Sequence, residues 1–258
     1  MTDTVFTEAR FQAARIRVLS DTQEHTQIGM LSEKTLHRML KFTVEPCEER
    51  HEQKVLGRVA DVFSDGHIYE IQTRTLFRLR PKLQTFLSAY PTSVIYPLPH
   101  VKHLRWIDPE TGEIGPRRRS PKVSTPFDAI PELYRLSDLL SHENLTVYLV
   151  FLDVEEYRYL DGYGPTRKHR STRAERMAEH VHSSVRLSCA DDYRSVFLPS
   201  ALPSPFTVKE YAKAARIKPR WAYTGIRMLM TMGIVSHVGM RGREYLYAPS
   251  AARSVSLA

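Results

Sequence analysis

The sequence predicts an α/β (α+β) chain, a mixed β-sheet flanked by helices and followed by a small C-terminal module of two helices and a hairpin. Three observations carry this prediction. Between residues 29 and 98 the hydrophobic pattern runs helix, three strands, helix, strand, an order that implies a mixed sheet with helices packed on it. A proline-rich hinge, LPSALPSP, spans Leu198 to Pro205. Finally, residues 200 to 258 hold nine Lys or Arg against two Glu, so nearly all of the net charge of +8 lies beyond that hinge. The expected domains are a sheet domain over 1-165, a basic connector and hinge over 166-200, and the basic module over 201-258.

The elements follow in order. Residues 1 to 28 give only a weak helical pattern around EARFQAARIRVL. After Gly29, Ser32 can cap a helix in which Glu33, Leu36, His37 and Leu40 share one face. From His51 the period changes to two: HEQKVL, RVADVFS and HIYEIQT, separated by Gly57 and by Asp65-Gly66, read as a three-stranded meander. In TLFRLRPKLQTFLSAY, Leu79, Leu83, Phe86 and Leu87 form one helical face, with Pro81 near the first turn. TSVIYPL is then a strand beyond a crossover. Residues 99 to 136 read as an excursion: a hairpin from KHLRWID through PETGE, then a mobile basic loop around RRRSPK. LTVYLVFLDVEEY, residues 145 to 157, is a last buried strand, and DGYGPTRKHRSTRAERM a polar, basic, partly helical connector.

Several function classes are excluded. The longest apolar run, Leu145 to Leu152, is far short of the roughly 20 residues that span a bilayer, and the N-terminus lacks the basic start of a secretory signal, so no membrane partner is expected and the protein reads as cytoplasmic. Two cysteines, Cys47 and Cys189, give neither a disulfide framework nor a four-cysteine zinc site. No phosphate-cradling glycine loop occurs. His180 and His182 lack an acidic or cysteine neighbour at ligand spacing and read as surface residues.

The chemistry-bearing residues lie on the two middle strands. Alternation puts Val59, Asp61 and Phe63 on one side of the first, and Ile68, Glu70 and Gln72 on one side of the second. A hairpin of suitable register makes Asp61 and Glu70 point the same way. Carboxylates set among apolar neighbours are costly to desolvate unless a cation, protons or hydrogen bonds offset the charge. Hard oxygen ligands suit Mg2+ or Mn2+, which would activate a water for phosphodiester hydrolysis. Glu33 is a candidate third acidic ligand or water-orienting group, and Gln72 a hydrogen-bond partner for the attacking water or a phosphate oxygen. His51 and Glu52 are accessory candidates on the neighbouring strand.

The helix with Glu33, GRVADVFS with Asp61, IYEIQT with Glu70 and Gln72, and the following amphipathic helix together resemble the core of the PD-(D/E)XK nuclease superfamily. They also resemble uncharacterised bacterial proteins with EKxLH, VADI and EIQT motifs. The resemblance covers roughly residues 29 to 98 and implies a restriction-endonuclease-like fold in which Asp61 and Glu70 bind Mg2+ and Glu33 assists. It admits a homodimer. Two positions depart from the family pattern: Ala60 stands where a proline usually precedes the Asp, and Gln72 stands where a Lys assists the attacking water. Arg78 and Lys82 on the next helix are the candidates to replace that charge. An active endonuclease and an inactive, DNA-binding or regulatory protein on the same fold both remain open.

In the last module, Thr207 and Glu210 form a capping box that opens TVKEYAKAA, and Pro219 starts a second helix with Ala222, Ile226, Leu229 and Met230 as its buried stripe. The hairpin that follows turns at Gly239 to Gly242. Together these resemble a winged helix-turn-helix. Its second helix would offer Lys218, Arg220, Tyr223, Thr224 and Arg227 to a DNA groove, with Arg241 and Arg243 on phosphates. RNA, or a protein docked on the same module, remains an alternative partner.

Overall fold

The computed structural model describes residues 5–23, 33–161 and 172–250. The expected cap at Ser32 lies outside them. Two compact units divide the chain: Met1–Arg74 with Thr92–Ser124 and Tyr148–Val185, and Thr75–Pro91 with Thr125–Val147 and Arg186–Ala258.

The first unit opens with α1 (Glu8–Gln23) and α2 (Glu33–Val44). In the weakly patterned α1, Phe11, Ala14 and Val18 recur at helical spacing and are buried, as are Leu36, Met39 and Leu40 of α2. The meander follows as β1 (His51–Val55), β2 (Arg58–Ser64) and β3 (His67–Ile71), each pair antiparallel. Both connections place two successive residues at positive φ, Leu56-Gly57 and Asp65-Gly66, the backbone that matches strand twist in a two-residue hairpin.

β4 (Thr92–Ile107) returns parallel to β3. It runs without a break through Pro97, Pro99 and KHLRWI, so the expected excursion from residue 99 is corrected: its first arm is the continuation of this long strand. Nor is the basic loop wholly free of structure, since β5 (Arg118–Arg119) pairs with His103 and Leu104. β6 (Leu145–Tyr159) is buried on both faces in its first half, which explains its continuous apolar run. Over residues 172–177 the expectation of a partly helical connector is corrected as well, because β7 (Thr172–Leu187) is a strand of the same sheet, while residues 162–171 of that stretch lie outside the described residues.

Among the described residues the result is a mixed seven-stranded sheet, ordered β1-β2-β3-β4-β6-β7 with β5 on β4. One of its faces packs on α1 and α2: Ile71, Ile95, Val150, Leu152, Val154 and Ala178 join Phe11, Leu36, Met39 and Leu40 in one core. Beyond that core, Glu156 is fully buried and meets Lys102 at 3.2 Å, Arg176 at 2.8 Å and the Arg158 guanidinium.

The second unit contains α3 (Arg80–Phe86), α4 (Ile130–Leu133), α5 (Ala190–Phe197), α6 (Val208–Ala214) and α7 (Pro219–Thr231), then the hairpin β8 (Val235–Arg241) and β9 (Glu244–Pro249). Leu79, Leu83, Phe86 and Leu87 are buried, the face the sequence predicts. Thr207 and Glu210 close the capping box of α6, and Pro219 occupies the first turn of α7. Of the expected stripe on α7, Ala222, Ile226 and Leu229 are buried together with Gly225 and Met228. Met230 is only half-buried. The Tyr211 hydroxyl, buried beneath α7, donates to the Phe197 carbonyl at 2.7 Å. No helix among the described residues is long and apolar enough to cross a membrane.

Candidate functional site

The β2–β3 register decides which side chains meet. Ser64↔His67, Phe63↔Ile68 and Val62↔Tyr69 are paired, which brings Asp61 opposite Glu70 on one face of the hairpin. The regular ladder ends there. Asp61 N donates to Glu70 Oε1 at 3.3 Å, and the Ile71 amide donates to Asp61 Oδ2 at 2.8 Å, so backbone groups at the end of the ladder are satisfied by the two carboxylates themselves. Glu70 is fully buried, and Asp61 retains 13% of its side-chain exposure. A third group arrives from α2: His37 Nε2 lies 3.1 Å from Asp61 Oδ2.

The accessory residues of β1 sit beside this cluster. The His51 ring lies tilted against Phe42, with centroids 4.7 Å apart, and is bonded to the Glu45 carbonyl at 2.8 Å. Burial, and after it the charge of Lys41, holds its imidazole below the ordinary histidine range. Glu52 accepts from Lys41 Nζ. His37, Arg38, Lys41, Glu48, His51, Glu52 and Thr73 line one open cleft in this unit. Gln72 is half-buried, and its backbone N–H donates to the Ile95 carbonyl at 3.0 Å. Glu33 opens α2, but its side chain lies outside the described residues. Arg78 and Lys82 belong to the second compact unit.

His37 and Lys41 are absent from the sequence-derived site. A signal existed: Glu33, His37 and Lys41 stand at i, i+4 and i+8, one polar row on a helix whose neighbouring face is apolar. Among the described residues no three His, Cys, Asp or Glu side chains form a group that could hold a metal ion. His180, read as a surface residue, bonds Glu8 at 2.7 Å, and His182 stacks on His100.

In the second unit, Lys218, Arg220, Tyr223 and Arg227 are exposed at and along α7, on the side opposite its buried stripe. Thr224 is half-buried and its hydroxyl donates to the Arg220 carbonyl at 2.9 Å. At the hairpin, Arg243 is exposed in the turn, whereas Arg241 is paired with Glu210 of α6 at 2.8 Å.

A family model, described as a domain of unknown function (DUF8091), matches residues 34–188, more than half of the 258-residue chain. The chain belongs to this family. The DUF8091 match takes in α2, the meander and the rest of the sheet, so Asp61, Glu70, His37 and Lys41 all fall inside it, and the α6–α7 module falls outside. The chain is also similar to a protein of Treponema pallidum (strain Nichols), described as uncharacterized: 32% identity over 222 residues, covering 85% of this chain and 86% of that one. No solved structure matches. No nuclease family is identified for this DUF8091 protein.

Proposed function

We propose that this DUF8091 protein is a metal-dependent DNA endonuclease that hydrolyses phosphodiester bonds, with a winged helix-turn-helix module that binds DNA. The observation that carries the reading is the pairing of Asp61 with the fully buried Glu70 where the β2–β3 ladder ends. The surrounding order, α2, the antiparallel β1–β3 and a parallel β4, supports the reading, since it is compatible with the PD-(D/E)XK core that the sequence resembles.

The donor set suits a hard divalent cation. Asp61 and Glu70 face each other at the end of the ladder, with Glu70 on the backbone amide of Asp61, and Mg2+ is commonly held by one or two carboxylates with waters and substrate phosphate oxygens completing its shell, so a third protein ligand is not required. When bound, Mg2+ or Mn2+ would lower the pKa of a water and offset charge on the phosphoryl group. The protein's own groups do the rest. Gln72 orients the attacking water or a phosphate oxygen by hydrogen bonding. His37 and the Ile71 amide fix the rotamer of Asp61. Glu33, at the N-terminal end of the same helix row, adds a carboxylate.

In the second unit, the order of α6, α7 and the β8–β9 hairpin supports the winged-helix reading, and a single antiparallel bridge, Phe206↔Tyr247, ties the segment before α6 to the hairpin. The exposed row of Lys218, Arg220, Tyr223 and Arg227 suits a groove lined by phosphates.

A second reading, an inactive nuclease fold that only binds DNA, is favoured by one residue, the neutral Gln72. Cleavage of linear, circular and branched DNA, assayed with Mg2+, Mn2+ or chelator, separates the two. Metal-dependent cleavage by the wild type that Asp61→Ala abolishes supports the enzyme. Binding without such cleavage leaves the second reading.

A further inference from the structure

Gln72, the residue after β3, is neutral, and Lys41 of α2 lines the cleft that begins at the next residue, Thr73. His37 and Lys41 are one turn apart on the same row of α2. His37 reaches Asp61 at 3.1 Å. Lys41, whose side chain is only 11% exposed, donates from Nζ to Glu52 Oε1 at 2.5 Å. Glu52 is itself placed by the sheet: His51↔Val62 and Gln53↔Ala60 are paired, and between them Glu52 falls opposite Asp61. Its φ of +51° is a left-handed conformation that a glutamate adopts only when its surroundings impose it. Lys41, Glu52, His37 and Thr73, the residue after Gln72, line one cleft. A desolvated ammonium is expensive to keep unless something uses or offsets its charge, and Glu52, which faces it, is itself 57% exposed.

Building on the nuclease reading, we propose that Lys41 supplies, from the helix side of the cleft, the positive charge that Gln72 cannot supply from the strand side. As the water oxygen bonds to phosphorus and the bond to the leaving sugar oxygen breaks, negative charge grows on the non-bridging oxygens. Lys41 offsets that charge. The attacking water loses its proton to solvent, and the leaving oxygen takes one up from solvent, so Lys41 itself remains charged throughout. The roles of the two positions are thereby interchangeable in charge, though not in location.

The test compares full-length wild type, Lys41→Met, Gln72→Lys and the double variant for single-turnover cleavage of duplex DNA with Mn2+, with DNA affinity and thermal unfolding followed in parallel. Lys41→Met is expected to slow cleavage by about 10²–10³-fold, the scale of losing one charge-stabilising group, with DNA affinity little changed. Adding Gln72→Lys to Lys41→Met is expected to restore most of the rate, a rescue that a merely structural lysine would not give. If Lys41→Met does not fold, Lys41→Arg and Lys41→Gln take its place: retention of rate by arginine and loss by glutamine supports the proposal, and equal rates overturn it. A folded Lys41→Met at wild-type rate, or a double variant no faster than Lys41→Met, overturns it too. A wild type with no metal-dependent cleavage removes the nuclease reading and this inference with it, whereas a cleaving wild type indifferent to Lys41 removes the inference alone.

Discussion

His37 Nε2 and the Ile71 amide converge on one oxygen of Asp61, at 3.1 and 2.8 Å, so helix α2 and the β2–β3 hairpin are joined through a candidate ligand carboxylate. An oxygen held from two sides has little rotamer freedom left, which is the preorganisation a metal-binding or water-positioning group needs.

Asp61→Asn and Asp61→Ala divide the two roles of this carboxylate. Asparagine keeps an oxygen for the Ile71 amide and loses the charge; alanine leaves the amide without that acceptor. Stability is expected to fall by about 1 kcal/mol for asparagine and by about 1–3 kcal/mol more for alanine, read by urea unfolding. Both variants should lose metal-dependent cleavage, since neither retains the carboxylate. Undiminished cleavage by Asp61→Asn would reject the site.

Glu156 gives a pH dependence. Burial pushes its carboxyl up, but Arg176, Lys102 and Arg158 outweigh that and hold it at about 2, against an ordinary 4.5. Lys102 bears the same burial in the opposite sense: desolvation first, with Arg176 and Arg158 near it, keeps its ammonium below the lysine range even though Glu156 pulls it up. A folded value below the unfolded one means stability that is complete above about pH 4.5 and lost as the pH falls toward 2. The displacement is worth on the order of 3 kcal/mol. Glu156→Gln leaves three cations facing one another and should cost about 3–5 kcal/mol at pH 7. Urea unfolding at pH 6 and pH 3 should show the gap between wild type and variant narrowing by about 2 kcal/mol at the lower pH. A gap of constant size would mean that Glu156 is not the titrating group.

The meander was legible because its strands alternate and because Asp65-Gly66 fixes a two-residue turn, and with it the register that sets Asp61 opposite Glu70. The sequence pattern ends this strand with TSVIYPL, whereas β4 continues through Pro97 and Pro99 to Ile107; prolines are tolerated where a strand's amides are not all needed by its neighbours. β7 was missed for a different reason. Its charges look solvated in sequence, but they are matched by neighbouring segments, Arg176 by Glu156 of β6 and Glu179 by Arg117 just before β5. Alternation of apolar residues cannot reveal a strand whose partners are ions. Arg78 and Lys82 are the cations near Gln72 in sequence; Lys41 reaches the cleft by tertiary packing from an earlier helix, which no local pattern encodes.

The basic module predicts unequal arginines. Arg220 and Arg227 are exposed on α7, whereas Arg241 is engaged by Glu210. Each of Arg220→Ala and Arg227→Ala should weaken duplex DNA binding and lower the salt slope by about 1, as expected for losing one phosphate contact. Arg241→Ala should do less. Glu210→Gln keeps a side-chain oxygen for the capping box with Thr207 and removes the charge holding Arg241, so it should tighten binding and steepen the slope. Slopes that none of these changes moves would point to a protein partner for the module.

Gly225 tests how closely the second unit is packed beneath α7. A Cβ there would lie 3.0 Å from Ile130 Cδ1 and 3.3 Å from the Tyr211 hydroxyl, and the hydroxyl cannot retreat without losing its bond to the Phe197 carbonyl. Alanine in mid-helix gains about 1 kcal/mol over glycine in propensity, while an overpacked core typically loses about 1–3 kcal/mol. The clash should win, and Gly225→Ala should lower stability in urea unfolding by about 1 kcal/mol. Ile130→Val removes the methyl that the new Cβ meets. Alone it should cost about 0.5–1.5 kcal/mol for the cavity left behind, but combined with Gly225→Ala the total should be smaller than the sum of the two, because each change relieves the defect of the other. Strict additivity in that cycle would show that the helix shifts to accommodate the methyl, and that Gly225 is there for a reason other than the close approach of Ile130.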